Sequence, residues 1–235
     1  MADHAISCVA IVQARLGSSR LPLKSLLCLR DLPIIDWVLQ RLSKARRIDQ
    51  IVVAIPDTSL DRVLCEHLTR RGVHCVMGEE NDVLARFLRA AKTTDCSHIV
   101  RVCADNPLIS GEAVDSLVDH YSQTECDYAY NHIPRNNLWP DGLGAEILPR
   151  ELLEELNSKA TEPSQREHCL NYIWDHTQDF RISTFDPKEP CLRRPDIKLD
   201  IDRPEDFERL SLLPLSPDMD CQSIIRAVDQ AQHAA

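Results

Sequence analysis

The first 105 residues alternate short apolar runs with amphipathic stretches at helical spacing, and this alternation constrains the fold more than any other feature. "ISCVAIVQA" (6–14), "IDQIVVAIPD" (48–57), "VHCVMG" (73–78) and "SHIVRVCAD" (97–105) read as strands. Between them, "PIIDWVLQRLSKARR", "SLDRVLCEHLTRRG" and "NDVLARFLRAAKTT" place apolar residues three and four apart. Pro33 suits a first helical turn, Gly72 a helix end, and Asn81 or Asp82 a helix start. A helix between successive strands forces a crossover connection. The expectation is therefore an α/β fold, a mainly parallel sheet with helices on both faces.

After about Asp127 the rhythm breaks. "YAYNHIPRNNLWPDGLGAEILPR" is rich in Pro, Gly and Asn and reads as an excursion from the sheet with short strand candidates. Helices are expected at "ELLEELNSKA" and "SQREHCLNYIWDH", the latter with Ser164 and Glu167 at capping-box spacing. "FRISTF" and "DIKLDI" read as strands and "RPEDFERLSLL" as a helix. At 235 residues, one domain spanning 1–235 accounts for the chain, with 127–176 as an excursion whose apolar and aromatic residues suit a dimer contact. Trp139 could line a pocket or a subunit contact; Trp37 and Trp174 fit core or interface positions.

A formal net charge of −10 argues against a general electrostatic grip on nucleic acid, so any anionic ligand needs a local cluster of cations. No apolar run approaches the ~18–20 residues that span a bilayer. The N-terminus passes from "MADHA" into a strand without a basic leader, so a cytoplasmic protein is expected. Ten scattered cysteines without a CxxC pair read as free thiols, and the scattered histidines suggest no zinc site.

In an open α/β sheet, ligands bind beyond the carboxyl ends of the strands. Three segments meet that condition. "ARLGSSRLPLK" follows the first strand: Gly17 permits close backbone approach, Ser18 and Ser19 add hydroxyls, and Arg15, Arg20 and Lys24 could hold a polyanion. A solvated basic loop is the alternative. Asp105 follows the fourth strand, where a carboxylate suits a hard divalent cation or caps a turn before Pro107. Asp200 and Asp202 would share a face if their strand continues, though Asp202 could equally cap the helix at "RPED". Cations for a polyphosphate together with carboxylates for Mg²⁺ are what nucleotidyl transfer requires.

"IVQARLGSSRLPLKSL" resembles the N-terminal signature A-R-x-x-S-x-R-L-P-G-K of the CMP-sugar-acid cytidylyltransferases, particularly their spore-coat polysaccharide branch. "GEENDVLARFLRAA", "RVCADNPLI", "WPDGLGAEIL", "SQREHCLNYI" and "LDIDRPEDFERL" resemble later motifs of that branch in the same order, from about Ile6 to Leu210. The resemblance implies a Rossmann-like nucleotide-diphospho-sugar transferase fold, a homodimer, and Mg²⁺-dependent transfer of CMP from CTP to an acidic sugar. It implies that Ala14, Arg15, Gly17, Ser18, Ser19, Arg20, Lys24, Asp82 and Arg101 surround the nucleotide. Arg15, Lys24, Asp105 and Asp202 would be catalytic, the two aspartates binding metal with Asp200 as a neighbour, and Asp141, Gly142, Glu146, Arg166, Glu167 and His168 would face the acceptor. Three positions depart from the pattern: Leu23 and Ala104 replace glycines, and Gly144 replaces an acidic residue. A D-x-D glycosyltransferase of the same fold and a non-catalytic nucleotide-binding homologue are the competing functions. The first would release a nucleoside phosphate rather than pyrophosphate.

Overall fold

The computed structural model describes residues 6–234. Four strands follow the expected runs: β1 (Cys8–Gln13), β4 (Gln50–Pro56), β5 (His74–Gly78) and β6 (His98–Cys103). A two-strand hairpin, β2 (Cys28–Leu29) and β3 (Leu32–Pro33), precedes α1 (Ile34–Leu42); α2 (Asp61–Arg70) and α3 (Val83–Ala91) complete the crossovers. Gly72, at φ 71°, follows the end of α2, and Asp82 caps α3 by accepting the Ala85 N–H at 2.9 Å.

Strands β4, β1 and β6 are neighbours and parallel, and β5 adds outside β4. Side-chain alternation along β1 divides the core into two layers. Val9 and Ile11 pack with α3, whereas Cys8, Ala10 and Val12 pack with residues of α1, α2 and α4 (Gly111–Gln123). Cys8, Cys96, Cys169 and Cys221 are buried as free thiols. No helix among the described residues is long and apolar enough to cross a membrane. The expectation about an N-terminal leader falls on residues 1–5, outside the described residues.

The second half corrects several expectations. The segment taken as leaving the sheet supplies two of its strands, β7 (Tyr128–Tyr130) and β8 (Glu146–Pro149). With β9 (Ile182–Ser183) they complete the order β5-β4-β1-β6-β8-β7-β9, with β8 antiparallel to β6. The connection between β7 and β8 loops away from the sheet, as does the helical stretch from α5 (Arg150–Lys159) onward that separates β8 from β9. The segment's aromatic residues are covered within the chain: Tyr128, Tyr130 and Trp139 are buried, and Arg135 lies 4.1 Å from the Trp174 ring centre. The helix expected over 164–176 breaks at His168–Leu170 into α6 (Pro163–Glu167) and α7 (Asn171–Asp175), after α5 (Arg150–Lys159). Ser164 is not its cap, because the chain enters α6 at Glu162 with Pro163 in the first turn.

"DIKLDI" forms no strand beyond a single bridge from Lys198 to Asp141. Its alternation instead buries Ile197, Leu199 and Ile201 in a third core, packed with α8 (Pro204–Leu212) and α9 (Cys221–Ala234). Trp37 joins that core and donates its indole N–H to the Leu29 carbonyl at 2.8 Å.

Candidate active site

From β1 the chain winds outward to β4 and β5, then returns to place β6 on the other side of β1. Strand order therefore reverses between β1 and β6, whose last residues, Gln13 and Cys103, are in register. The loops leaving these strands diverge and leave a crevice. Here it holds a hollow of about 160 Å³, lined by Ala14, Arg15, Ser18, Ser19, Arg20 and Lys24 from the first loop, Ala104 and Asp105 from the second, and Asp202.

The first loop is held from below. Leu16 is buried and donates its N–H to the Asp61 carboxylate at 2.7 Å; Asp61, itself buried, also accepts from the Thr58 hydroxyl at 2.6 Å. Sequence reasoning missed Asp61, whose position at a helix start gave no sign of a partner 45 residues away. Gly17 is exposed beside Glu80, and a Cβ there would meet only its carboxylate oxygen, at 3.8 Å. The loop closes through Leu23, whose N–H reaches the Leu16 carbonyl at 3.0 Å and whose carbonyl accepts from Leu26 at 2.8 Å. Leu23 is left-handed, with φ 59° and ψ 17°, so this chain keeps a glycine-like backbone there with a branched side chain. At Ala104 no positive φ is required, and a methyl group is accommodated.

Asp105 and Asp202 approach each other from separate segments. Lys24 lies between them, its Nζ 3.2 Å from Asp105 Oδ2, 3.7 Å from Asp202 Oδ1 and 2.7 Å from the Ile201 carbonyl. Arg20 lies 3.7 Å from Asp202 Oδ2. Asp202 is free for this role because Asp206 takes the capping one, accepting the Asp202 and Arg203 N–H groups at 3.0 and 3.1 Å. Burial alone would raise the Asp206 pKa, but Lys198 and those two donors hold it at about 2. Two carboxylates converging on one ammonium are a donor set that suits a small hard dication, with water and ligand oxygens completing its shell. Among the described residues no group of three or more Asp, Glu, His or Cys forms a ready-made metal cluster.

Asp200 does not share the partners of Asp202, as a D-x-D metal pair would. Its side chain is 13% exposed and faces Lys198 at 3.5 Å, with Oδ1 buried and unpaired. Asp141 lies alongside, because it donates its N–H to the Ile197 carbonyl and its own carbonyl accepts the Leu199 N–H, both at 2.9 Å, and Gly142 fits tightly against the chain. At φ 92°, with a Cβ position 2.9 Å from the Asp200 nitrogen, residue 142 has to be glycine. Burial, and then the charge of Asp200, push Asp141 up to about 7; burial raises Asp200 to about 6 against the pull of Lys198.

The remaining expected residues are not all brought to this crevice. Arg101 and Glu146 face each other across β6 and β8 and form a buried ion pair, to which Tyr128 donates its hydroxyl. Burial opposes ionisation of Glu146, yet Arg101, His132 and Tyr128 together keep its pKa below the usual value. Glu146 is thus enclosed beneath the crevice rather than open to a ligand. His132, 3.7 Å from Glu146 with Nδ1 buried and unpaired, belongs to this network and was assigned no functional role by sequence reasoning.

Asp82 and Arg166, expected on nucleotide and acceptor sides respectively, pair with each other, Arg166 Nε donating to Asp82 Oδ2 at 3.0 Å. They border a separate hollow beyond β4 and β5. Glu167 and His168 are exposed next to Arg166. The residues expected around the acceptor are therefore split, with Asp141 and Gly142 near the aspartates and Arg166, Glu167 and His168 toward the β5 edge. At Gly144 a Cβ would lie 2.1 Å from Asn131 Oδ1, which accepts the Ala145 N–H at 2.9 Å. Asn131 fills the space an acidic side chain would need.

Residues 9–230 match the protein-family model described as Cytidylyltransferase. Spore coat polysaccharide biosynthesis protein SpsF of Bacillus subtilis is 29% identical over 234 residues, covering 96% of this chain and 95% of SpsF. A solved cytidylyltransferase from Leptospira borgpetersenii superposes with a TM-score of 0.86 at 30% identity, covering 97% of this chain and 96% of that one. A solved CMP:2-keto-3-deoxy-manno-octonic acid synthetase in complex with CTP shares the fold at 17% identity and a TM-score of 0.65, covering 87% and 97%.

Proposed function

Because the chain belongs to the cytidylyltransferase family, we propose that it transfers CMP from CTP to the anomeric hydroxyl of a 2-keto-3-deoxy sugar acid and releases pyrophosphate. One observation carries this reading: Arg15, Arg20 and Lys24 meet Asp105 and Asp202 at the reversal point of the sheet. Cations for a triphosphate and carboxylates for a dication occupy one crevice.

In this reaction the acceptor oxygen attacks the α-phosphorus while the bond to the β-phosphate oxygen breaks. No covalent enzyme intermediate is needed, so the protein's work is alignment and neutralisation of charge. Arg15 and Arg20 grip phosphate oxygens and offset the charge that collects on the departing pyrophosphate; Lys24 does the same as a point charge. Ser18 and Ser19 donate hydroxyls to the same anion. Asp105 and Asp202 are the residues that would hold Mg²⁺, which when bound would supply charge neutralisation at the phosphates. Asp141 and Asp200 line the acceptor side of those aspartates. Burial pushes Asp141 up to about 7, which suits a group that, in its protonated fraction, donates a hydrogen bond to a sugar hydroxyl or carboxylate, whereas Asp200, at about 6, is mostly ionised near neutral pH and accepts. The Arg101–Glu146 pair supports this floor from beneath, at one remove from the nucleotide. A homodimer belongs to the same reading.

The test is pyrophosphate release from CTP, with ATP, GTP and UTP as controls, against a panel of sialic-type, legionaminic-type, pseudaminic-type and octulosonic acids. Release that depends on both CTP and one acid is the expected result. Cleavage of a preformed nucleotide sugar with release of a nucleoside phosphate would favour the glycosyltransferase alternative, and CTP binding without turnover on any acid would favour a non-catalytic homologue.

A further inference from the structure

We propose that Lys24 is an internal counter-ion that keeps a divalent cation out of the nucleotide-free protein and admits it only together with a nucleoside triphosphate. The inference rests on the proposed function and adds an order of binding to it. Asp105 and Asp202 bring two like charges to one point, and Lys24 is the ammonium between them. An ammonium has three N–H donors. Lys24 donates to Asp105 Oδ2 and the Ile201 carbonyl and lies at ion-pair distance, 3.7 Å, from Asp202 Oδ1, and its side chain is only 13% exposed. Arg20 is turned the same way, toward Asp202.

Two of the three cations assigned to the triphosphate, Lys24 and Arg20, are therefore turned toward the carboxylates assigned to the metal. The hollow they line is about 160 Å³, whereas a small-molecule site usually offers roughly 300–1,000 Å³. A dication arriving alone has to displace Lys24 from the two carboxylates and the Ile201 carbonyl, or sit beside its positive charge. Either costs Coulomb energy at Lys24, whose side chain is only 13% exposed and whose ammonium sits against both carboxylates. A nucleotide arriving with its dication exchanges partners on both sides. The phosphates take Lys24 and Arg20, the carboxylates take the cation, and the crevice widens as the two side chains turn outward.

The measurement is Mn²⁺ binding, read by electron paramagnetic resonance of the free ion. It is made on wild type, Lys24→Met and Lys24→Arg, each with and without α,β-methylene-CTP, with thermal unfolding as the check on folding. Wild type and Lys24→Arg should bind Mn²⁺ weakly alone, and, after subtraction of the Mn²⁺ that the analogue chelates in a protein-free control, the wild-type affinity should rise more than about tenfold with the analogue. Lys24→Met should bind Mn²⁺ alone at least about tenfold more tightly than wild type, since the competing charge is gone. Nucleotide-independent Mn²⁺ binding by wild type as tight as that with the analogue overturns the proposal, as does folded Lys24→Met that gains no affinity. If Lys24→Met fails to fold, the two wild-type measurements still decide the matter. Failure of the underlying functional reading has a different signature, in which the wild-type protein does not bind the CTP analogue with or without Mn²⁺.

Discussion

Leu23 closes the cation-bearing loop in a conformation that disfavours any residue with a Cβ, and the consequence can be measured. At ordinary backbone positions glycine is less stable than alanine by about 0.5–1 kcal/mol, because the unfolded chain gains freedom. With φ 59° and ψ 17°, residue 23 adds the opposing strain of a left-handed backbone, about 1–2 kcal/mol for a Cβ-bearing residue. Leu23→Gly and Leu23→Ala both remove the branched, 44% exposed side chain, so its lost burial cancels between them. The glycine variant should then be more stable than the alanine variant by about 0.5–1 kcal/mol, the reverse of the usual order. For a chain of this size that is a separation of about 1–4 °C in Tm. Urea unfolding of the two variants at equal m-value gives the difference directly. Alanine equal to or more stable than glycine would refute the left-handed closure, and with it the account of how this loop holds its cations in place.

Asp141 should show its burial in a pH profile. Its pKa of about 7 in the folded chain exceeds the usual 3.8, so the stability supplied by the neutral carboxyl is complete below about pH 4 and is lost as pH rises through 7. Asp141→Asn should match wild type in urea unfolding near pH 4 and exceed it by about 1–2 kcal/mol at pH 8, a figure reduced for partial exposure; equal offsets at both pH values would remove the argument. Glu146→Gln leaves the Arg101 guanidinium without its countercharge and should cost about 3–5 kcal/mol of stability. An unchanged unfolding midpoint with a raised KM for the acceptor would instead make Glu146 a ligand contact.

The parallel half of the sheet was legible because each of its strands is an apolar run separated from the next by an amphipathic helix. That pattern is local. Insertion of β8 between β6 and β7 was not legible, since nothing in "AEILP" states which strand it will pair with, and the Arg101–Glu146 pair depends on that choice. "DIKLDI" misled for a related reason. Alternate burial of Ile197, Leu199 and Ile201 looks the same whether the partner is a strand or, as here, the α8–α9 layer. Within the candidate site, the cations and both aspartates stood out because they follow strands or precede a helix. Their mutual arrangement did not, because Lys24 and Asp105 are 81 residues apart. That Asp206 rather than Asp202 takes the capping role also depends on side-chain direction, which spacing alone leaves open.

The most direct test of CMP transfer at the β1–β6 edge compares wild type with Asp105→Asn for pyrophosphate release, using CTP, Mg²⁺ and the sugar acid that supports the wild-type reaction. Thermal unfolding of both proteins establishes that each is folded. Removing a metal carboxylate should lower the rate by at least about a hundredfold with the unfolding temperature little changed. Undiminished, Mg²⁺-dependent release by folded Asp105→Asn would contradict the account.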